Sequence, residues 1–188
     1  MDAGSLRLNL VTASVYDAVG NLRSVDGPRA DVVDQHSHMY DNELRLVQST
    51  DALGKLSKIA YDADGRPVRA AAQVGLKWLV SCKRYSPSGK ALRSWGPALT
   101  AADTACPAEA APVPVTDYAY DELDRPLRAT EYLPAAEGGN RIGETDYFAD
   151  GSVKAVRRGV GTASAHAQTC ASYTANGRLR RWPTPKTT

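Results

Sequence analysis

One short string returns along the chain and constrains its fold more than any other feature. The string is YDADGR at residues 61–66, and near-copies of it begin at other tyrosines spaced 21 to 35 residues apart. A period of this size is typical of repeat architectures, in which each copy is one supersecondary unit. The copies are YDAVGN from Tyr16, YDNELR from Tyr40, YDADGR from Tyr61, YSPSGK from Tyr85, YDELDR from Tyr120, YFADGS from Tyr147 and YTANGR from Tyr173.

The residue types within one copy predict a tight hairpin turn. An aspartate such as Asp62 or Asp121 opens the turn, because its carboxylate accepts hydrogen bonds from backbone amides two or more residues on. A glycine then adopts the left-handed conformation that closes a β-hairpin with a bulge, and a basic residue such as Arg66 follows it. The glycines that stand four residues after the tyrosine are Gly20, Gly65, Gly89, Gly151 and Gly177.

Two copies depart from the glycine rule. Leu44 and Asp124 occupy the position where the other copies have glycine. Aspartate tolerates the left-handed region moderately well, whereas leucine does not. We therefore expect the turn at residues 41–45 either to be built differently or to be strained.

The segments between the turns predict short antiparallel strands. An apolar residue follows the basic one, which places it across the hairpin from the tyrosine as a stabilising cross-strand pair. Further turn signals, Asp51 to Lys55, Asp26-Gly27-Pro28, Gly96-Pro97 and Gly138-Gly139-Asn140, give turns roughly every 10 to 12 residues. With 9 tyrosines, 15 glycines and 11 prolines but one phenylalanine, the composition disfavours long amphipathic helices. The predicted fold is all-β, an antiparallel meander of repeated β-hairpins.

The repeats also divide the chain. Residues 1–13 form a lead-in strand region, residues 14–181 hold the hairpin repeats, and residues 182–188 form a tail. The longest gap between tyrosines contains the alanine- and proline-rich stretch 98–115, which we interpret as an inserted loop.

Taken together, these strings closely resemble the Rhs or YD-repeat family. The resemblance is carried by YDNELRLVQSTDALGKLSKIAYDADGRPVRA at residues 40–70 and YAYDELDRPLRATEYLP at residues 118–134, and it covers residues 14–181. It implies a β-sheet that spirals into a hollow shell, with this chain as an arc of the wall. In bacterial members the shell encloses a C-terminal toxin until delivery, and animal relatives use it in cell-surface adhesion.

The resemblance also implies partners and a location. The partners would be the remaining shell repeats and an encapsulated toxin domain, in a full-length parent that is secreted or displayed at the cell surface. The DPxGxxxxDP-like segment that ends such shells and a toxin domain have no counterpart here, and the N-terminus lacks the pattern of a signal peptide. We therefore expect a fragment, prone to self-association through open sheet edges.

Three cysteines, Cys82, Cys106 and Cys170, lie far apart in the sequence. Their odd number and wide spacing indicate neither a disulfide framework nor a metal site. We expect free structural thiols, with one bridge such as Cys82 to Cys106 as the alternative.

Catalytic and metal-binding groups were sought among the remaining polar residues. Asp34, His36 and His38 share one face if the segment is a strand, but the set lacks a further protein ligand for a metal. His166 lies among small residues, and no GxSxG or glycine-rich phosphate loop occurs in the sequence. We predict no enzyme activity, no cofactor and no bound metal.

Net charge and hydropathy limit the classes of partner that the sequence predicts. The net charge is +2, from 23 basic and 21 acidic residues, so the chain has no strong positive potential that would attract nucleic acid. No apolar run approaches the roughly 20 residues of a membrane span. Basic pairs such as Lys83-Arg84 and Arg157-Arg158 lie near tyrosine and tryptophan residues, so a module that binds carbohydrate or another cell-surface ligand is the alternative function.

Overall fold

The described part of the chain is almost entirely β-structure, as predicted. The computed structural model describes residues 11–29, 31–32, 34–110, 112–134, 137, 139–160, 167–181 and 186–187. Its strands are β1 (Ala13–Tyr16), β2 (Leu22–Asp26), β3 (His36–Tyr40), β4 (Leu46–Thr50), β5 (Leu56–Tyr61), β6 (Pro67–Val74), β7 (Lys77–Tyr85), β8 (Ala91–Thr100), β9 (Val115–Tyr120), β10 (Pro126–Tyr132), β11 (Arg141–Tyr147), β12 (Val153–Val160), β13 (Ala167–Cys170), β14 (Ser172–Tyr173), β15 (Leu179–Arg181) and β16 (Lys186–Thr187).

Two compact units divide these strands. The first unit comprises residues 1–80 and 99–105, and the second comprises residues 81–98 and 106–188. In the first unit, β1 to β6 pair in chain order, each antiparallel to the next. In the second unit, β8 to β13 likewise pair in chain order, β16 pairs with β13, and β14 forms a separate hairpin with β15. Both units are therefore antiparallel meanders.

In six of the seven repeat hairpins, the register places the repeat tyrosine opposite the residue six positions later. Tyr61 pairs with Pro67, whereas the preceding Ala60 pairs with Arg69, so a bulge lies on the outgoing strand beside the tyrosine. The same shift occurs at Tyr40, which pairs with Leu46. The cross-strand pairing of an aromatic with an apolar residue, predicted from the sequence, is present in this register.

The repeat turns have one backbone geometry, including the two copies that lack glycine. Gly65 has φ 79° and donates its N–H to the Asp62 carbonyl at 3.0 Å. Leu44 has φ 62° and makes the equivalent bond to Asp41 at 3.1 Å. Of the two possibilities that the sequence left open for this turn, the structure has the strained one. Asp124 takes the same conformation with φ 61°.

Fully buried side chains are few. Those below 9% exposure among the described residues are Ala71, Val80, Cys82, Trp95, Val115, Ala155 and Ala171. In contrast, Leu53 and Leu76 are 80% and 97% exposed. Neighbouring strands cover most other apolar side chains only in part. Hydrogen bonds and ion pairs therefore contribute to holding the hairpins together.

Two expectations about the middle of the chain need correction. The turn predicted at Gly96-Pro97 is wrong, because β8 continues through these residues to Thr100 and the Gly96 N–H bonds the Pro114 carbonyl at 2.9 Å. The strand therefore takes up the first residues of the stretch 98–115, and the connection to β9 consists of residues 101–114, which we call the inserted loop.

The expectation of three free thiols is also wrong. Cys82 and Cys106 form a disulfide, the alternative that the sequence left open, with a Cα–Cα distance of 6.0 Å that suits a bridge. The inserted loop folds back onto β7 and brings the two residues together. The spacing of the cysteines in the sequence does not reveal this path of the chain. Cys170 is free and exposed.

Candidate functional site

The most regular cluster of polar side chains is the repeated turn itself, and Asp62 shows its construction. The Asp62 Oδ1 atom accepts hydrogen bonds from the backbone N–H groups of Asp64 at 3.0 Å and Arg66 at 2.9 Å. The Asp62 N–H in turn donates to the Arg66 carbonyl at 3.0 Å. The side chain thus satisfies the amides that the tight turn leaves without ladder partners.

Most of the other copies cap the turn through the same side-chain position, with an aspartate or a hydroxyl. Asp17, Asp41 and Asp121 accept from the backbone N–H groups two and four residues later, and the non-repeat turn at Asp51 does the same. In two further copies a hydroxyl replaces the carboxylate. The Ser86 Oγ atom accepts from Lys90 N–H at 3.0 Å, and the Thr174 Oγ1 atom accepts from Arg178 N–H at 3.1 Å.

The arginine that follows the turn closes a second contact with the aspartate. The Nε atom of Arg66 lies 2.7 Å from Asp62 Oδ2, and the corresponding distance from Arg125 to Asp121 is 2.6 Å. The two arginine side chains are only 24% and 28% exposed, so they are partly buried at the turn.

The same arginine also reaches the next repeat. The Arg45 guanidinium lies over the Tyr61 ring, 4.7 Å from its centroid, and Arg125 lies over the Tyr147 ring at 4.4 Å. Such cation–π contacts contribute about 0.5 to 2 kcal/mol each, more when the cation is desolvated. Arg45 also approaches Gly65, where an added Cβ would lie 3.4 Å from the Arg45 Nη1 atom. One arginine therefore joins its own turn to the turn of the next repeat.

A ladder of tyrosine hydroxyl groups links the repeats a second time. The Tyr61 hydroxyl donates to the Leu46 carbonyl at 2.9 Å, and Leu46 stands six residues after Tyr40. Every other bond of this series has the same offset of six from the preceding repeat tyrosine. The series comprises Tyr40 to Leu22 at 3.0 Å, Tyr61 to Leu46 at 2.9 Å, Tyr120 to Ala91 at 3.0 Å, Tyr147 to Pro126 at 2.9 Å and Tyr173 to Val153 at 3.1 Å.

The electrostatics of the turns follow from these bonds. Burial is the largest influence on Asp62 and works to raise its pKa, but the hydrogen bonds from the Arg66 backbone and side chain outweigh it and hold the pKa below its ordinary value. The pKa of Asp41 and that of Asp121 are lowered in the same way. The hydrogen bond to Asp41 raises the pKa of Arg45. Each carboxylate therefore stays ionised as a structural partner and not as a proton donor.

The positions predicted from the sequence all lie at these turns. Each repeat tyrosine is the last residue of its strand: Tyr16, Tyr40, Tyr61, Tyr85, Tyr120, Tyr147 and Tyr173. Each repeat glycine has a positive φ between 72° and 93°: Gly20, Gly65, Gly89, Gly151 and Gly177. The hydroxyl ladder and the arginine bridge were missed, although the offset of six and the basic residue that recurs in five of the seven copies are both visible in the sequence.

A second polar cluster lies in the second unit around Arg93. Its guanidinium binds Asp117 through two bonds of 2.5 and 2.7 Å and Glu109 through a third of 2.7 Å, while the Tyr132 hydroxyl donates to Asp117 at 3.1 Å. These bonds, first that to Asp117, raise the pKa of Arg93, and the Arg93 bond lowers the pKa of Asp117. Tyr132 and the apolar residue Val113 line the open groove of about 570 Å³ beside the cluster.

The candidate metal set is not brought together. Asp34 precedes β3, which begins at His36, so Asp34 does not share a strand face with the two histidines as the sequence suggested. Its carboxylate instead accepts from Arg29 N–H at 3.1 Å and lies against Gly27. In the described ranges, no group of three His, Cys, Asp or Glu side chains is placed to hold a metal ion.

His166 and the turn residue Gly138 lie outside the described residues. The part of the chain that is described contains no helix with the length and apolarity that crossing a membrane requires.

Comparisons with known proteins found similar folds among solved structures. The sequence matches no protein-family model and no curated protein. A chain in the structure of the Tc holotoxin pore of Photorhabdus luminescens, with a mutation in TccC3, aligns over 90% of this chain with 17% identity and a TM-score of 0.65. The crystal structure of TcdB2–TccC3 without the hypervariable C-terminal region aligns over 92% of this chain with 16% identity and a TM-score of 0.51.

These alignments bear on the fold. This chain spans only 9% and 10% of the length of those two chains. Segments of the toxin-complex chains share its long antiparallel meander, and the resemblance to the YD-repeat architecture is confirmed at the level of the fold.

Proposed function

We propose that this chain is a structural wall segment of a YD-repeat shell, and that in a longer protein the shell encloses and delivers a C-terminal toxin. The observation that carries this proposal is the ladder from each repeat tyrosine to a carbonyl of the preceding repeat, with its constant offset of six. A repetitive wall needs such a contact, because each repeat is stabilised chiefly by its neighbours.

The fold likeness supports the same role. One of the two aligned structures is a holotoxin pore, and the other is TcdB2–TccC3 without its hypervariable C-terminal region. Because this chain aligns with about a tenth of each, a complete shell would require many further repeats, which we propose as its partners. β1 offers a place for one of them, since all four of its residues are exposed.

We propose no catalytic and no cofactor-binding role for this segment. Where a turn has both an aspartate and an arginine, the two neutralise and hydrogen-bond one another, as Asp121 and Arg125 do. Arg84 and Arg157, from the basic pairs that suggested carbohydrate binding, form ion pairs with Glu109 and Asp146, so no observation on these residues favours that alternative over the wall.

The test is limited proteolysis of the intact protein in which this segment occurs. We expect the C-terminal region to resist trypsin until mild denaturant opens the shell. Tyr61→Ala should shorten that protection, while Leu53→Ala, at a position 80% exposed, should leave it unchanged. Cleavage of the C-terminal region at the rate of its isolated form would contradict encapsulation.

A further inference from the structure

The Cys82–Cys106 disulfide ties two very different environments together. Cys82 lies in β7 with 1% exposure, whereas Cys106 lies in the inserted loop and is exposed. The two residues are 24 positions apart in the sequence. The bridge therefore anchors a surface segment to the interior of the second unit.

The anchored segment consists of residues 106–110 and 112–114, is called segment 106–114, and covers part of the core of that unit. The Pro107 carbonyl accepts a hydrogen bond from Trp95 Nε1 at 2.9 Å, and Trp95 is 8% exposed. Glu109 pairs with Arg93 at 2.7 Å and with Arg84 at 3.4 Å. Segment 106–114 also supplies one wall of the groove beside Arg93.

The remaining attachments of segment 106–114 are weak. Only two backbone hydrogen bonds are found for it in the described structure, Val113 N–H to Ala110 at 3.1 Å and Gly96 N–H to Pro114 at 2.9 Å. Arg84 is 54% exposed, and exposed ion pairs contribute little because solvent screens them. Loops of this length without secondary structure are uncommon unless they are functional or otherwise fixed.

We propose that the Cys82–Cys106 disulfide is a redox-sensitive latch, which holds segment 106–114 on the sheet under oxidising conditions and releases it under reducing ones. The hairpins persist in both states, because the turn bonds and the tyrosine ladder do not involve the disulfide. Release uncovers Trp95 and opens the groove on the side of the segment.

The chemistry of release requires a dithiol reductant. Its thiolate attacks the sulfur of Cys106, the accessible partner, and the sulfur–sulfur bond breaks as Cys82 leaves as a thiolate and takes up a proton. The second thiol of the reductant then displaces Cys106 and becomes oxidised to a disulfide. Two electrons and two protons pass to the protein, which ends with two thiols. The latch would therefore open when the protein moves from an oxidising to a reducing compartment.

Hydrogen exchange measured by mass spectrometry tests the latch. The chain would carry Cys170→Ser, which removes the exposed thiol that could exchange with the bridge, and dithiothreitol would serve as the reductant. We expect reduction to speed exchange of the Val113 amide, and of the Gly96 amide that bonds Pro114, by about tenfold or more, with the other strand amides of both units unchanged. Cys106→Ser should reproduce the reduced pattern without reductant, since the substitution is at the exposed partner.

Glu109→Gln is the matched control. It weakens the ion pairs of the same segment and keeps the disulfide, so exchange in the oxidised chain should stay near that of the parent. Three results would overturn the latch. Unchanged exchange after reduction would show that other contacts hold the segment. Faster exchange throughout the second unit, or failure of Cys106→Ser to fold, would show that the bridge stabilises the whole unit.

Discussion

Leu44 offers a sharp test of the turn geometry. It occupies the position of the repeat glycine with φ 62°, and its side chain is 54% exposed. A residue with a Cβ in the left-handed region costs about 1 to 2 kcal/mol, whereas glycine has no such cost. Replacing Leu44 by glycine should therefore relieve strain, although it also removes the contacts of the leucine side chain.

A comparison of two variants separates these effects. Leu44→Ala and Leu44→Gly both remove the leucine side chain, but alanine keeps the strain and glycine does not. Glycine offsets about 0.4 to 1 kcal/mol of this gain, because it gives the unfolded chain more conformational entropy than alanine does. We therefore expect Leu44→Gly to be more stable than Leu44→Ala by about 1 kcal/mol, or roughly 2 to 4 °C in Tm for a chain of this size.

Leu53 provides the matched control position. It lies in the turn that starts at Asp51, where Gly54 and not Leu53 has a positive φ. Here glycine should be less stable than alanine by about 0.4 to 1 kcal/mol, because only the unfolded-state entropy differs. Urea unfolding followed by circular dichroism gives both differences. If glycine and alanine rank in the same order at residues 44 and 53, the strain assigned to Leu44 is refuted.

Three further predictions address the contacts between repeats. Tyr61→Phe removes one rung of the hydroxyl ladder and should lower the free energy of unfolding by about 0.5 to 1.5 kcal/mol in urea titrations, whereas Tyr16→Phe, at a tyrosine 60% exposed, should not. Because the pKa of Asp62 is lowered by folding, its contribution to stability is complete above its ordinary pKa of 3.8 and is lost as the pH falls through the folded value. A Tm that stays constant as the pH falls below 3.8 would contradict this, and Asp62→Asn should flatten the decline. Arg93→Lys loses the two-pronged bond to its aspartate and should cost about 1 kcal/mol, while Arg84→Lys, measured in parallel, should cost much less.

The local chemistry of the repeat was predictable from the sequence because it acts over few residues. Asp62, Gly65 and the apolar residue six positions after each tyrosine define a turn and a register by themselves. The two alternatives for the turn at Leu44 could also be predicted, because they follow from steric limits on the backbone of a single residue.

The contacts between distant segments were not predictable in the same way. The Cys82–Cys106 bridge depends on the path of the inserted loop, and spacing alone left it as one alternative among several. Gly96-Pro97 has the composition of a turn, but the hydrogen bond from Gly96 to Pro114 keeps it within β8. Asp34 was grouped with two histidines by strand periodicity, and the contact with Gly27 before the strand places it elsewhere.

Electron cryo-microscopy of the intact protein that carries this segment tests the central proposal most directly. We predict that the hairpins from Tyr16 to Tyr173 form a continuous part of the wall of a hollow shell, with additional density enclosed inside it. Each repeat tyrosine should reach back to the preceding hairpin with the offset of six found here. A map in which these residues form a separate module projecting from the surface, with no enclosed space, would contradict the account.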